Sequence, residues 1–214
     1  VPRHKKAATW GAATTGQATG FSGSLEPAQG CHCLLILTQV VGSARTEPRT
    51  RVDLMFTGTE ITEILENLQI THVVWLPDST LGPWEHALES SSKIKLVRIC
   101  REGEAWTLAA GLTVGGKAPL IMMQSTGFYE SGDAMRNVVF DLQLPVFAIV
   151  GVRNWLEANA NDSAKRVAKS IIDAWGIRSV WIETDRDKHQ LAEHYTRCQA
   201  TAQAGLVLMA EGKG

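Results

Sequence analysis

Six short apolar runs, each followed by a stretch of helical periodicity or by a turn, constrain this chain more than any other feature. They are THVVWLP (71–77), KIKLVRIC (93–100), APLIMMQ (118–124), LPVFAIVG (144–151), SVWIE (179–183) and GLVLMAE (205–211). Runs of this length, rich in Val, Ile and Leu and bounded by turn residues, read as strands. APLIMMQ and LPVFAIVG have no polar alternation, as expected of strands covered on both faces. Between the runs, apolar residues recur at helical spacing: Ala105, Leu108, Ala109 and Leu112, then Val167, Ile171, Ile172 and Trp175, then Leu191, Tyr195 and Cys198. Strands alternating with helices imply an α/β fold, a doubly wound, mostly parallel six-stranded sheet with helices on both faces.

The spacing also predicts local detail. Thr57 and Glu60 stand at capping-box separation before a face of Ile61, Ile64, Leu65 and Leu68. A short helix over 83–88 begins with Pro83 at a tolerated position, and Gly115 and Gly116 end the helix that starts near Glu102. STGFYESG (125–132) reads as a loop, followed by a helix near 133–140. Asp185 reads as the cap of the last helix. Residues 1–51 are rich in Ala, Thr, Gly and Ser and lack sustained periodicity beyond CLLILTQVV (33–41), so they read as a poorly ordered extension. Residues 52–214 read as one domain.

Bulk properties narrow the function. The formal net charge is −1 and no basic stripe persists, which argues against nucleic acid as a partner. CLLILTQVV is too short to span a bilayer, so no membrane association is expected. The four cysteines are scattered, and Cys31-His32-Cys33 lacks a second ligand pair; free thiols in a reducing cytoplasm are the expectation, with no metal site in this chain. His72 and His86 read as structural or solvated, and His189 and His194 as facing out of the last helix. Gly127 and Gly132 have the outer spacing of a phosphate loop, but Asp133 and Ala134 occupy the Lys and Ser/Thr positions, where a carboxylate would repel phosphate. No G-x-G-x-x-G follows a strand, and no G-x-S-x-G elbow exists.

What remains is a row of polar residues at successive strand ends: Asp78 and Ser79, then Arg101 and Glu102, then Gln124, Ser125, Thr126 and Gly127, then Arg153 and Asn154. In a parallel sheet these loops open on one edge, where α/β folds bind ligands. Glu102, between a strand and a helix, is either a charge complement to the helix N-terminus or a chemical group.

LPDSTLGPW (76–84), REGEAWTLAAG (101–111), APLIMMQSTG (118–127) and LPVFAIVGVR (144–153) together resemble the pyrimidine-binding domain of thiamine-diphosphate-dependent enzymes. The nearest likeness is to the alpha subunit of sulfopyruvate and phosphonopyruvate decarboxylases, over about residues 57 to 211. In that family the cofactor-activating glutamate lies nine residues before the last glycine of the second block, which points to Glu102 rather than Glu104. The resemblance implies thiamine diphosphate as cofactor, with Glu102 bonding a ring nitrogen of its aminopyrimidine. It implies Gln124, Ser125, Thr126 and Gly127 beside that ring, and Asp78 and Ser79 near substrate; Arg153 is the candidate for an anionic substrate group. GFYESGD (127–133) is longer than the Gly-Leu-Gly-Asn usual in those decarboxylases. No Gly-Asp-Gly…Asn-Asn segment is present, so the resemblance further implies a hetero-oligomer in which a diphosphate-binding, beta-type subunit holds the diphosphate and Mg²⁺. The reaction implied is non-oxidative decarboxylation of a 2-oxo acid. The alternatives are an acetolactate-synthase-like carboligase subunit and a non-catalytic, flavodoxin-like binding or regulatory subunit.

Overall fold

A computed structural model describes residues 55–79 and 81–212. The expected extension over 1–51 and Cys31 to Cys33 lie outside the described residues. The elements in chain order are α1 (Gly58–Asn67), β1 (His72–Trp75), α2 (Glu85–Ser90), β2 (Lys95–Arg98), α3 (Glu102–Val114), β3 (Pro119–Gln124), α4 (Ser125–Glu130), α5 (Gly132–Arg136), β4 (Phe147–Val152), α6 (Ser163–Trp175), β5 (Arg178–Ile182), α7 (Gln190–Ala200) and β6 (Gly205–Ala210).

All six strands pair in parallel, in the order β2-β1-β3-β4-β6-β5. Alternate strand residues feed two separate cores. Val73, Trp75, Leu120, Met122, Phe147, Ile149, Val207 and Met209 face α1, α2 and α7. Val74, Ile121, Met123, Ala148, Val150, Leu206 and Leu208 face α3 to α6. The topology explains that division. The connections β1→β2 and β5→β6 run toward one edge of the sheet and put their helices on one face. The connections β2→β3, β3→β4 and β4→β5 run the other way and fill the opposite face, as a single crossover hand requires. Chain direction therefore reverses beside β1 and β3, leaving a crevice at their carboxyl ends.

Local signals explain most element boundaries. Thr57 accepts from the Glu60 backbone while the Glu60 carboxylate accepts from the Thr57 backbone at 2.8 Å, so the capping box forms as spaced. Gly115 is the C-cap of α3, and Gly116 follows with φ +72.

Three expectations are corrected. Residues 125–130 form the helix α4 rather than a loop, and the segment continues through α5 into a π-helical turn over Asn137–Asp141. Gly127 and Tyr129 are poor helix formers, but Phe128 is fully buried and Ser125 is 2% exposed, so tertiary burial overrides propensity. Asp185 does not cap the last helix: Thr184 and Asp187 cap a 3₁₀ turn over Asp185–Asp187, and α7 begins at Gln190. His194 does not face solvent. It is 3% exposed, its ring lies 5.5 Å from the Phe147 ring, and its Nε2 lies 3.2 Å from the Arg178 carbonyl. Leu191, His194, Tyr195 and Cys198 form one face, and the histidine belongs to it.

Candidate functional site

The site is built where β1, β2 and β3 end. Trp75 pairs with Met122 near the ends of β1 and β3, so the loops that follow emerge side by side. The β2 loop delivers Glu102 as the first residue of α3, and β3 runs into α4 through Gln124, which pairs with Gly151 of β4.

Glu102 and Gly127 meet there. A Cβ on Gly127 would fall 2.4 Å from Glu102 Cγ and 2.6 Å from its Oε1. The side chain thus lies on bare backbone of α4, a position that only a glycine leaves open. Glu102 is half-buried, and its carboxylate accepts no hydrogen bond from any described residue. A half-buried carboxylate at the carboxyl ends of β2 and β3, with its acceptor capacity unused, is suited to bonding a ligand.

Ser125 and Gly127 are buried beside it, Gln124 is half-buried and Thr126 is exposed. The Tyr129 phenol donates to the Ala164 carbonyl at 2.9 Å; burial pushes its pKa above the usual value, against the opposing hydrogen bond with Ser125. The structure thus brings Glu102 and Gly127 together, with Gln124, Ser125 and Thr126 just before that glycine where β3 passes into α4.

Asp78 is committed to its own turn, accepting from the Trp75 indole at 3.1 Å and the Leu81 amide at 2.8 Å, while Ser79 is exposed in the loop that follows β1. Arg153 also has a partner. Its Nε donates to Asp162 at 3.0 Å, and Asp162 caps α6 by accepting from the Ala164 amide at 2.9 Å. Arg153 holds the Asp162 carboxyl below the ordinary range, with the Ala164 amide and Asn154 adding to it. A cavity of about 390 Å³ opens between Arg153, Glu157, Asn161 and Ser163. A somewhat larger one, about 430 Å³, opens at the opposite edge of the sheet beside Phe140, Arg178 and Gln203. Neither of these two cavities is lined by Glu102 or by residues 124–127.

Two residues outside the sequence-based set belong to this region. The Glu130 carboxylate accepts from Arg101 Nε and, at 3.1 Å, from the Gly103 backbone N–H. Ser131 accepts from the buried Trp106 indole at 2.9 Å. Both come from 127–133, the stretch that is longer than the family pattern, and that extra length was the available signal. Glu104, set aside in favour of Glu102, accepts from the Cys100 amide at 3.3 Å and lies exposed on the first turn of α3. Among the described residues no group of three or more His, Cys, Asp or Glu is arranged to hold a metal ion, and no helix is long and apolar enough to cross a membrane.

No protein-family model and no curated protein matches the sequence. Solved structures do match. Benzoylformate decarboxylase from Polynucleobacter necessarius superposes with a TM-score of 0.57 at 20% identity, over 72% of this chain and 29% of that one. A protein assigned as a thiamin diphosphate-dependent enzyme from Mycobacterium smegmatis superposes with a TM-score of 0.56 at 16% identity, over 72% of this chain and 30% of that one. At these identities the likeness is one of fold: this chain has the parallel α/β architecture found in less than a third of the length of each of those two proteins.

Proposed function

We propose that this chain supplies the pyrimidine-binding half of a thiamine-diphosphate site, in a non-oxidative 2-oxo acid decarboxylase of the sulfopyruvate and phosphonopyruvate type. The observation that carries the reading is the Glu102 side chain laid on Gly127 at the strand-end crevice, its carboxylate free to accept. The residues fit the cofactor. Gly127 leaves room for Glu102 to lie flat, and an open carboxylate is the donor set's match for a ring nitrogen that carries or shares a proton. The fold likeness to a benzoylformate decarboxylase and to a protein assigned as a thiamin diphosphate-dependent enzyme supports the same reading.

When bound, thiamine diphosphate supplies the carbon nucleophile and the electron sink for loss of carbon dioxide. The work of this chain is narrower. Glu102 holds a proton between its carboxylate and the aminopyrimidine ring nitrogen, and so acts as the acid–base group that sets the ring's tautomer. Gln124, Ser125, Thr126 and Gly127 wall the ring. Asp78, through its turn, places Ser79 at the substrate end of the crevice, and Arg153 offers charge to an anionic substrate group once its contact with Asp162 is shared. The diphosphate and Mg²⁺ are assigned to a separate beta-type subunit, and the active form to a hetero-oligomer. Closure of that subunit over the crevice would complete the burial of Glu102.

Co-expression with a candidate diphosphate-binding subunit, followed by a screen of 2-oxo acids for carbon dioxide release, tests the reading. Glu102→Gln is expected to reduce turnover by about 10²-fold or more, the scale of a lost acid–base group, with the fold intact by circular dichroism. Near-normal turnover in that variant refutes it.

A further inference from the structure

We propose that Glu130 is a positioning residue that fixes the orientation of Glu102. The inference rests on the thiamine-site reading for its consequence, but its geometry stands on this chain alone. α3 begins poorly: its N-cap is Arg101, whose side chain makes no capping hydrogen bond. A helix start leaves its first N–H groups without intrahelical partners, and a capping side chain normally serves the second or third of them. Here the cap arrives from another helix. Glu130, at the end of α4, accepts from the Gly103 N–H through Oε2 at 3.1 Å and from the Arg101 guanidinium through Oε1. Its two oxygens therefore grip the residues on either side of Glu102.

α4 adds two further attachments. Gly127, one turn before Glu130, is the floor on which the Glu102 side chain lies. Ser131, next in sequence to Glu130, accepts from Trp106 Nε1 at 2.9 Å, and Trp106 sits one turn after Glu102. The first turn of α3 is thus mounted on α4 below, at both flanks and one turn on. The Arg101 guanidinium is 73% exposed and Glu130 is 33% exposed, so their ion pair contributes little by itself to stability. Its effect is directional. A carboxylate at a helix N-terminus also suits the helix dipole. Glu130 falls within GFYESGD, so the segment that departs from the decarboxylase pattern is also the one that supplies the clamp.

The test uses the full chain without cofactor, isotopically labelled for nuclear magnetic resonance. In Glu130→Ala the Gly103 amide is expected to exchange about tenfold faster, as for loss of a hydrogen bond to a charged acceptor. The Glu102 χ1 couplings are expected to move from one dominant rotamer toward averaging. Glu130→Gln keeps an oxygen for the Gly103 N–H and is expected to restore most of the amide protection and part of the rotamer preference. That conservative rescue separates positioning from a general loosening of α4. If Glu130→Ala fails to fold, the Gln variant and Arg101→Gln carry the same comparison of rotamer populations. An unchanged Glu102 rotamer distribution with Glu130 altered overturns the proposal, whatever chemistry Glu102 performs. A shifted rotamer together with full turnover in Glu102→Gln would leave the clamp standing and remove the thiamine reading instead.

Discussion

Gly127→Ala is the sharpest single perturbation of this site. The added Cβ would stand 2.4 Å from Glu102 Cγ, 2.6 Å from Oε1 and 2.8 Å from Cδ. Carbon atoms in contact settle at roughly 3.5–4.0 Å, so the overlap with Cγ is about 1 Å or more. Because Cγ itself is struck, bending the outer end of Glu102 cannot relieve the clash, and χ1 must change rotamer. The carboxylate then swings away from the crevice. Stability should barely register this. An off-rotamer or displaced side chain costs about 0.5–1.5 kcal/mol, while replacing a helical glycine by alanine returns about 0.8–1.0 kcal/mol. The net change is within about 1 kcal/mol, equivalent to a shift of about 2–4 °C in Tm for a domain of this size. Function should register it strongly, since a misplacement of about 1 Å at a reacting group costs on the order of 10²-fold. Paired measurements decide the matter: thermal unfolding of the chain, and turnover with χ1 couplings for Glu102. Retained rotamer and turnover within twofold, or a stability loss above about 3 kcal/mol, would refute the contact described.

Gly111→Ala is the matched control, because a Cβ there meets nothing within 4 Å. It should raise stability by about 0.5–1 kcal/mol in urea unfolding and leave Glu102 unmoved. Ser131→Ala strands the buried Trp106 indole N–H, so a loss of about 1–3 kcal/mol is expected from the same measurement. Burial holds the His194 imidazole below its ordinary pKa, and burial, followed by Lys95 and Lys117, does the same for His72. The unfolded chain therefore binds more protons than the folded one as pH falls below about 6.5. Stability should be nearly flat between about pH 7 and 8 and decline between about pH 6.5 and 5, before the low-pKa carboxylates Glu60 and Asp187 begin to titrate. His194→Gln should flatten part of that decline, and a wild-type Tm independent of pH across this window would contradict the burial argument.

The sheet was legible because its signal is additive along the chain. Each run such as APLIMMQ carries enough apolar side chains to need two covered faces, and six of them alternating with helices leave few topologies. The capping box at Thr57 was legible for a similar reason, since both partners are three residues apart. The helix over 125–130 was not. Gly127 and Tyr129 argue locally for a loop, and the helix exists because Phe128 enters the core and Glu130 reaches α3. The burial of His194 was not legible either, because a histidine on an apolar face reads as solvated until its neighbour, the Phe147 ring from a strand nearly fifty residues away, is known.

Sequence alone therefore determined the strand set, the parallel sheet and the row of polar strand ends that includes Glu102, since these follow from composition and periodicity within each segment. Tertiary structure alone decided what surrounds that carboxylate. The meeting of Glu102 with Gly127 and the cap that Glu130 lends to α3 depend on distances across the fold. Pairwise contacts between residues distant in sequence leave no periodic trace, so only the packed chain could reveal them.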